Sequence, residues 1–293
     1  MESKQQLTNS NTTGKAAVTQ PTSDMLQSIR PVTENFGRVK WLVRSHAIAG
    51  AVTQVLQSPD DFLTDELSLV KSTSRTTIAR IQIPVTGSEV CILRRSNYDA
   101  LRTVLREVFR TAGPLRAFAN ALALERAGVS TPKVLAAGVE RFLRIPRAGY
   151  LLVQAIDVKQ TLAECFRQPG RPDGNSLNQV AEAVARMHQS GFAHGDLTIN
   201  NVLLDETGTP WFIDLDRVQQ RNRPLSWSQS VEDSYRLAKH VGEFRPAARR
   251  AACRLLKHYC ACRGWAGRER DFVEALYNRL QRKLAARLGS TPS

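Results

Sequence analysis

Two carboxylates and one amide stand at spacings that suit chemistry on a phosphate and a hydroxyl group. Residues 194–204 read HGDLTINNVLL, so Asp196 is followed five residues later by Asn201 and then by a short apolar run. A turn at residues 205–208 leads into a second apolar run that ends at Asp214, thirteen residues after Asn201. Two apolar runs joined by such a turn predict a β-hairpin, which brings Asn201 and Asp214 to the same end.

This pair of side chains is suited to a hard cation. An amide oxygen beside a carboxylate is typical of Mg²⁺ sites, where the ion keeps several waters and takes its remaining ligands from phosphates. Asp196 is then free of metal and close enough to accept or orient a hydroxyl proton. The alternative interpretation of the same residues is a chance hairpin with exposed acidic side chains.

The elements upstream of these residues are predicted to be mainly strands. Between the third and the fourth strand candidate, the apolar spacing predicts a helix over Leu115–Arg126, which Gly128 ends. Five short runs rich in β-branched residues predict the strands themselves, at Leu67–Val70, Ile78–Ile83, Val90–Leu93, Val134–Ala137 and Tyr150–Gln154.

Beyond Ile156 the periodicity becomes helical, and this change predicts an α+β fold with a cleft between two lobes. The expected organisation is a disordered polar leader over residues 1–28, a first lobe with a preceding basic amphipathic segment over 29–155, and a helical second lobe with a basic tail over 156–293. The predicted helices of the second lobe are Leu177–His188, Val231–Val241, Ala247–Cys262 and Asp271–Leu288.

The composition excludes several classes of protein. The chain has 293 residues, of which 42% are apolar and 23% are charged, as in ordinary globular proteins with a buried core. No run approaches the roughly 18 apolar residues of a membrane-spanning helix, and the first residues do not resemble a secretory signal. Five scattered cysteines indicate reduced thiols and a cytoplasmic location.

The charge is strongly basic. A net charge of +14 attracts anions without choosing among nucleic acid, acidic lipid and phosphorylated sugar. Between Arg245 and Arg287, twelve Lys or Arg face three Asp or Glu, so this basic tail is either a solvated helical face or a docking surface. The basic stretch Phe36–Leu56 is predicted to be a weakly amphipathic helix that packs on its own domain or lies on an anionic membrane.

Nucleic acid is not a favoured partner. The sequence has no basic–aromatic strand motif and no zinc-ligand spacing, and Cys260 and Cys262 with His258 are too compact for a structural zinc site.

The spacing of the polar residues is similar to the catalytic loop and metal-binding motif of protein-kinase-like enzymes. The sequences His194-Gly195-Asp196-Leu197 and Ile213-Asp214-Leu215-Asp216-Arg217 further resemble the bacterial lipopolysaccharide kinases, the Kdo and heptose kinases of the inner core. Residues 128–135, GVSTPKVL, are similar to that family's segment between the first-lobe helix and the next strand. The resemblance covers roughly Leu67 to Val241.

The resemblance implies a bilobal kinase fold and transfer of the ATP γ-phosphate to a sugar hydroxyl of the lipopolysaccharide core, at the cytoplasmic face of the inner membrane. It implies that Asp196 is the catalytic aspartate and that Asn201 and Asp214 bind Mg²⁺ and the nucleotide. It also implies that His194 fixes the loop backbone and that Asp233 is a buried anchor for that loop. An exposed helical acid is the alternative for Asp233.

Two departures from the kinase pattern concern the ATP site. Residues 71–77 stand where a glycine-rich phosphate loop belongs but contain no glycine, so the backbone amides of Ser74 and its neighbours are expected to form a looser anion nest. Arg94 stands where the pattern has a lysine, and the glutamate that pairs with that lysine is missing, because Glu125 comes about two turns late. Either the phosphate clamp is rebuilt around Arg94, or the protein is a pseudokinase with weakened ATP binding. A small-molecule or protein kinase of the same fold is a further alternative.

Overall fold

The computed structural model describes residues 30–65, 68–83, 89–98, 111–143, 145–168, 173–239 and 246–288. Its first lobe is built on a sheet of seven strands in the order β1-β2-β6-β7-β5-β4-β3, and every neighbouring pair is antiparallel. The strands are β1 (Val32–Phe36), β2 (Val39–Val43), β3 (Leu69–Ser72), β4 (Thr76–Ile83), β5 (Glu89–Asn97), β6 (Val134–Phe142) and β7 (Ile145–Gln154).

Two helices pack on this sheet. Helix α1 (His46–Gln57) buries Val52 and Leu56 against the face that carries Trp41, and the Trp41 indole Nε1 donates to the Leu56 carbonyl at 3.1 Å. Helix α2 (Gly113–Arg126) belongs to the other core, which it shares with the second lobe. The two-lobe arrangement predicted from the sequence therefore has two hydrophobic clusters among the described residues.

The helix predicted over Phe36–Leu56 is wrong in its first half. Gly37 has a left-handed conformation with φ of 58° and reverses the chain between β1 and β2. Residues 39, 41 and 43 are buried while Lys40 is exposed, which is the two-residue period of a strand. The stretch is therefore a hairpin that extends the sheet through β6, and the helix begins only at His46, where the Ser45 side chain caps it.

The predicted strand and helix candidates otherwise lie on observed elements. The five strand candidates fall on β3 to β7, although Leu67 lies outside the described residues, and β1 and β2 are additional. The leader over residues 1–28 also lies outside the described residues. Val241, the expected end of one helix, does so too.

The second lobe consists mainly of helices around the remaining core. Its strands are β8 (Val158–Thr161), β9 (Phe192–Ala193), β10 (Val202–Asp205), β11 (Pro210–Phe212) and β12 (Gln219–Gln220). Its helices are α3 (Leu162–Arg167), α4 (Gly174–Gln189), α5 (Trp227–Ala238), α6 (Pro246–Cys262) and α7 (Glu269–Leu288). Helix α4 buries Leu177, Val180 and Val184, which lie on one side of the helix as their spacing predicts. Within the described ranges, every helix is too short or too polar to cross a bilayer.

Candidate active site

The hairpin of β10 and β11 carries the polar residues that the spacing singled out. The two strands pair in antiparallel register with Val202 opposite Phe212, and the Ile213 amide donates to the Asn201 carbonyl at 3.1 Å. Asn201 and Asp214 therefore flank the same end of the hairpin. The structure brings Asp196 to this end as well, because the Asn201 side-chain Nδ2 donates to the Asp196 carbonyl at 2.9 Å.

Asp214 has an unusual backbone conformation. Its φ of 62° and ψ of 54° lie in the left-handed region, where only one other described non-glycine residue is found. Such conformations are costly and cluster at functional sites, where the surrounding contacts hold them. A short 3₁₀ turn, Leu215–Arg217, follows, and the Asn120 side chain of α2 donates to the Leu215 carbonyl at 2.7 Å.

His194 holds the same hairpin through a hydrogen bond just beyond the end of its second strand. It is fully buried, and its Nε2 lies 3.1 Å from the Ile213 carbonyl, to which it donates. Burial lowers the pKa of the His194 imidazole, and Nδ1 has no hydrogen-bond partner among the described residues. The ring is therefore neutral, with its proton on Nε2, and it fixes the backbone beside Asp214 rather than exchanging protons with a substrate.

Asp233 of α5 holds the loop that carries Asp196. Its two carboxylate oxygens accept the backbone amides of His194 at 2.8 Å and Gly195 at 2.7 Å, and His188 Nε2 lies 3.1 Å from one of them. Burial alone would raise the pKa of Asp233, but the bonds from His188 and the two amides hold it below its ordinary value. The exposed helical acid considered as an alternative is excluded, because Asp233 is buried.

Gly195 is required by a close backbone contact. Its φ is 75°, and a Cβ atom there would lie 2.4 Å from the Arg217 carbonyl oxygen. Any larger residue would push the Asp196 loop away from the segment that follows Asp214. The glycine in the His-Gly-Asp sequence thus lets these two segments touch.

Arg94 pairs directly with Asp214. The guanidinium Nη1 lies 2.8 Å from Asp214 Oδ1, so strand β5 and the hairpin are joined by an ion pair across the cleft. Glu125 is not the partner of Arg94, because both of its carboxylate oxygens lie 2.8 Å from Nη2 of Arg44. Burial raises the pKa of neighbouring Asp216, and the negative charge of Asp214 adds to that effect.

A cavity of about 910 Å³ lies between the lobes beside these residues. Arg94, Asn201 and Asp214 line it on the polar side, and apolar residues from both lobes form much of the remaining wall. The apolar residues include Ile78, Ile92, Val134, Leu151, Leu203 and Phe212. An apolar slot with a few convergent polar groups at one end is typical of sites that bind a small molecule such as a nucleotide.

The β3–β4 hairpin covers the cavity, but Ser74 does not line it. Among the described residues of this hairpin, Lys71, Thr73 and Thr76 face the cavity, while the Ser74 carbonyl accepts the Asn97 side-chain amide at 2.9 Å. Lys71 of β3, the first residue of the predicted phosphate loop, and Arg80 of β4 are exposed cations on the cavity wall, and the sequence interpretation missed Arg80. The sequence signal for Arg80 was the alternation of apolar and polar residues along β4, which places Arg80 on the face opposite the buried Ala79 and Ile81.

Two arginines beside Asp196 were also missed. Arg236 Nη1 lies 2.5 Å from Asp196 Oδ1 and donates to the Gly195 carbonyl at 3.0 Å, and Arg217 Nη1 lies 3.8 Å from Asp196 Oδ2. The signal for Arg236 was its position three residues after Asp233, which places both side chains on one face of α5. Nothing in the sequence indicated the contact with Arg217.

The donor set fits a Mg²⁺ ion shared with phosphates. Because Asn201 Nδ2 is engaged with the Asp196 carbonyl, the amide oxygen is the atom left for a cation, and Asp214 Oδ2 is not taken by Arg94. Both side chains line the cavity. Among the described residues, no group of three or more His, Cys, Asp or Glu is arranged to hold a metal ion by itself, but Mg²⁺ needs only one or two carboxylates when phosphates and water complete its shell.

Comparison with solved structures supports this architecture. A chain from "WaaP in complex with acyl carrier protein" superposes with a TM-score of 0.53 and 17% identity, covering 73% of this chain and 88% of that chain. At this identity the likeness concerns the fold alone. It confirms the α+β, bilobal protein-kinase-like fold expected from the sequence.

Sequence comparison identifies related enzymes. A 3-deoxy-D-manno-octulosonic acid kinase of Xylella fastidiosa (strain M12) is 32% identical over 102 residues, which are 35% of this chain and 40% of that protein. Another, from Xanthomonas axonopodis pv. citri (strain 306), is 31% identical over 127 residues, 42% of this chain and 50% of that protein. The chain thus spans about half or less of the length of these relatives. The model of the lipopolysaccharide kinase (Kdo/WaaP) family matches residues 60–259, more than half of the chain, and the protein belongs to that family.

Proposed function

We propose that the protein is an ATP- and Mg²⁺-dependent phosphotransferase that moves the γ-phosphate to a sugar hydroxyl of the lipopolysaccharide inner core, on Kdo or heptose. The observation that carries the proposal is the convergence of Asp196, Asn201 and Asp214 at one end of the β10–β11 hairpin, with the last two in the wall of the cavity. Membership of the family supports the class of acceptor.

Asp196 is the proposed catalytic residue. Arg236 holds its Oδ1, so Oδ2 is the oxygen that accepts or orients the proton of the acceptor hydroxyl. The Asn201 amide fixes the backbone carbonyl of the same residue, which limits the positions that the carboxylate can adopt. Much of the rate enhancement then comes from positioning and from neutralising charge.

Asn201 and Asp214 are the proposed ligands of Mg²⁺, which when bound neutralises charge on the β- and γ-phosphates. Arg94 places a guanidinium on the same cavity wall and is the proposed phosphate contact of the first lobe. Ser74 does not line the cavity itself. It is part of the proposed nucleotide site only as a residue of the β3–β4 hairpin, whose Lys71 and Thr73 face the cavity.

A second candidate is a pseudokinase with weakened ATP binding. It is favoured by the Arg94–Asp214 ion pair, because this pair occupies one oxygen of a proposed metal ligand. Calorimetric titration with Mg-ATP distinguishes the two candidates. An active enzyme binds the nucleotide and turns it over, whereas a scaffold either does not bind it or binds it without turnover.

The test of the main proposal is transfer of one phosphate from ATP to a Kdo-containing lipid A–core glycolipid, detected by mass spectrometry. Asp196→Asn is expected to reduce transfer by about 10²–10⁴-fold while Mg-ATP binding persists. Asp214→Asn is expected to remove Mg-dependent ATP binding. The control is Asp61→Asn, which changes an exposed acid outside the cavity. Full activity in both site variants refutes the assignment, and transfer only to soluble sugars or proteins identifies a different acceptor.

Contact with an anionic membrane is part of the proposal, because the acceptor is a glycolipid. The tip of the β6–β7 hairpin exposes Phe142, Leu143 and Ile145, and Leu143 is 80% exposed with a left-handed φ of 49°. The Arg147 guanidinium lies over the Phe142 ring at 5.6 Å from its centroid. An apolar tip beside basic side chains suits the interface of an acidic bilayer. The basic tail on α6 and α7 is the second proposed contact with the membrane. The tip of the β6–β7 hairpin takes the membrane-binding role that the sequence interpretation considered for Phe36–Leu56.

A further inference from the structure

Two guanidinium groups face the single carboxylate of Asp196. Arg236 approaches Oδ1 at 2.5 Å, and Arg217 approaches Oδ2 at 3.8 Å. The neighbouring acids share this group of arginines, since Asp214 pairs with Arg94 and the charges of Arg116 and Arg217 act on the Asp216 carboxylate. Four arginines (Arg94, Arg116, Arg217 and Arg236) thus stand around three carboxylates (Asp196, Asp214 and Asp216), which leaves one positive charge in excess.

Arg217 and Arg236 lie outside the proposed nucleotide cavity. Asn201, Asp214 and Leu215 line the cavity, whereas none of Asp196, Arg217 and Arg236 is among the described residues that do so. The two arginines therefore stand outside the nucleotide cavity and beside the carboxylate that the acceptor hydroxyl has to reach. A fixed positive charge at that point attracts an anionic group on the acceptor more strongly than a neutral one.

The two arginines differ in how firmly they are held. Arg236 makes three contacts, to Asp196, to the Gly195 carbonyl and from its Nε to the Tyr235 hydroxyl at 3.1 Å, so its position is fixed. The Arg217 side chain is 54% exposed, and its distance to Asp196 is too long for a hydrogen bond. Its backbone is held against Gly195, so the guanidinium is anchored near Asp196 with most of its donors available.

We propose that Arg217 binds an anionic group of the acceptor, a carboxylate or a phosphate close to the hydroxyl that is phosphorylated, and that Arg236 is the positioning residue that holds Asp196 for that hydroxyl. The proposal rests on the proposed function and narrows its substrate to sugars with such a group. The planar guanidinium forms two parallel hydrogen bonds with either anion, which fixes the orientation of the sugar as well as its affinity.

The test is equilibrium binding of small acceptor analogues by calorimetry, which does not depend on turnover. One arm compares a Kdo glycoside with its carboxamide, and the other compares a heptose phosphate with heptose. The full chain is expected to bind the anionic member of one pair at least tenfold more tightly, and the arm that responds identifies the anion. Arg217→Ala is expected to abolish this preference and Arg217→Lys to restore part of it. Arg221→Ala, at an exposed arginine of the same segment, is the matched control.

Equal affinity for charged and neutral analogues, or an unchanged preference in Arg217→Ala, overturns the role of Arg217. Failure of the proposed function looks different, because analogues then bind with the expected preference while no phosphate is transferred. For Arg236, substitution by Ala is expected to lower kcat with little change in the KM of the acceptor, and Lys is expected to restore part of kcat. A change confined to KM, or no change, contradicts the positioning role.

Discussion

Arg94 and a metal ion compete for Asp214 in the proposed mechanism. The ion pair at 2.8 Å gives the carboxylate a cationic partner before any nucleotide arrives, and it also keeps Asp214 in its left-handed conformation facing the cavity. The residues that would hold the metal are Asn201 and Asp214, and the remaining donors of the Arg94 guanidinium would be available to the phosphates. In the proposed site, Arg94 would take the place of the lysine of the usual kinase pattern, with Asp214 rather than a helix glutamate as its acidic partner.

Arg94→Ala is expected to weaken Mg-ATP binding by about tenfold, the equivalent of ~1.4 kcal/mol, because one phosphate contact is lost. Arg94→Lys is expected to be tolerated, since it keeps the charge. Calorimetric titration measures both, with Arg38→Ala, at the exposed turn between β1 and β2 and outside the cavity, as control. An unchanged affinity in the Ala variant contradicts the phosphate role.

His194 gives the folded state a defined dependence on pH. Its pKa lies below the ordinary value of 6.5, so as pH falls below 6.5 the unfolded chain takes up a proton that the folded chain refuses. Stability should therefore fall by up to ~1.4 kcal/mol per pH unit until the folded pKa is reached. Asp233 also makes stability fall with decreasing pH, because its pKa is lowered in the folded chain. This loss begins only near pH 3.8, the ordinary value for an aspartate.

Urea unfolding between pH 7.5 and pH 5 checks this expectation. His194→Gln is expected to flatten the dependence on pH, because the titrating group is removed. His46→Gln is the control, since that imidazole side chain is 85% exposed. Equal slopes in the His194 variant and the native chain would show that another group causes the acid sensitivity.

At the level of elements, the position of the loop that carries Asp196 depends on helix α5, whose Asp233 accepts two of the loop's backbone amides. One carboxylate, Asp233, satisfies two successive backbone amides and is itself bonded by a buried histidine of α4. Three elements are thereby fixed relative to one another at a single point. The position of Asp196 follows from this junction, because Asp196 is the next residue along the chain.

Asp233→Asn is expected to destabilise the fold by about 1–3 kcal/mol. The asparagine side chain has a single acceptor oxygen, so one of the two buried amides, of His194 or of Gly195, loses its partner. Chemical denaturation measures the loss. The neighbouring Glu232→Gln is the control, because its surface pair with Arg279 is worth less than ~1 kcal/mol. Equal effects of the two substitutions would refute the anchor.

The sequence predicted the local parts of the site well and the long-range parts poorly. The hairpin follows from residues within twenty positions of one another, so its spacing sufficed to bring Asn201 and Asp214 together. The pair of Arg44 with Glu125 joins residues 81 positions apart, and the contacts of Asp196 with Arg217 and Arg236 also depend on folding. Residues 36–43 were misassigned because apolar residues four apart fit a helix as well as a strand over so short a stretch.

On the scale of the whole molecule, the proposed contact with a bilayer rests on the exposed apolar tip of the β6–β7 hairpin and on the basic surface. Leu143→Asp is expected to lower binding to anionic vesicles about tenfold, because a charge replaces the most exposed apolar side chain of the hairpin. Co-sedimentation with vesicles of acidic and of neutral lipids measures this. Val70→Asp, at a residue 63% exposed on the edge strand of the same sheet, is the control. Equal loss in both variants, or none, argues against the tip.

The hydrogen bond between His188 Nδ1 and the Tyr259 hydroxyl, at 2.7 Å, extends the loop anchor into the C-terminal helices. The family match ends at residue 259, yet Phe272 packs on the Tyr259 ring at 5.4 Å and Trp265 packs at 6.1 Å. A version of the chain trimmed to the family boundary would keep every proposed catalytic side chain. Water would nevertheless enter around Tyr259. The chain of hydrogen bonds from Tyr259 through His188 to Asp233, which holds the Asp196 loop, would then become less rigid.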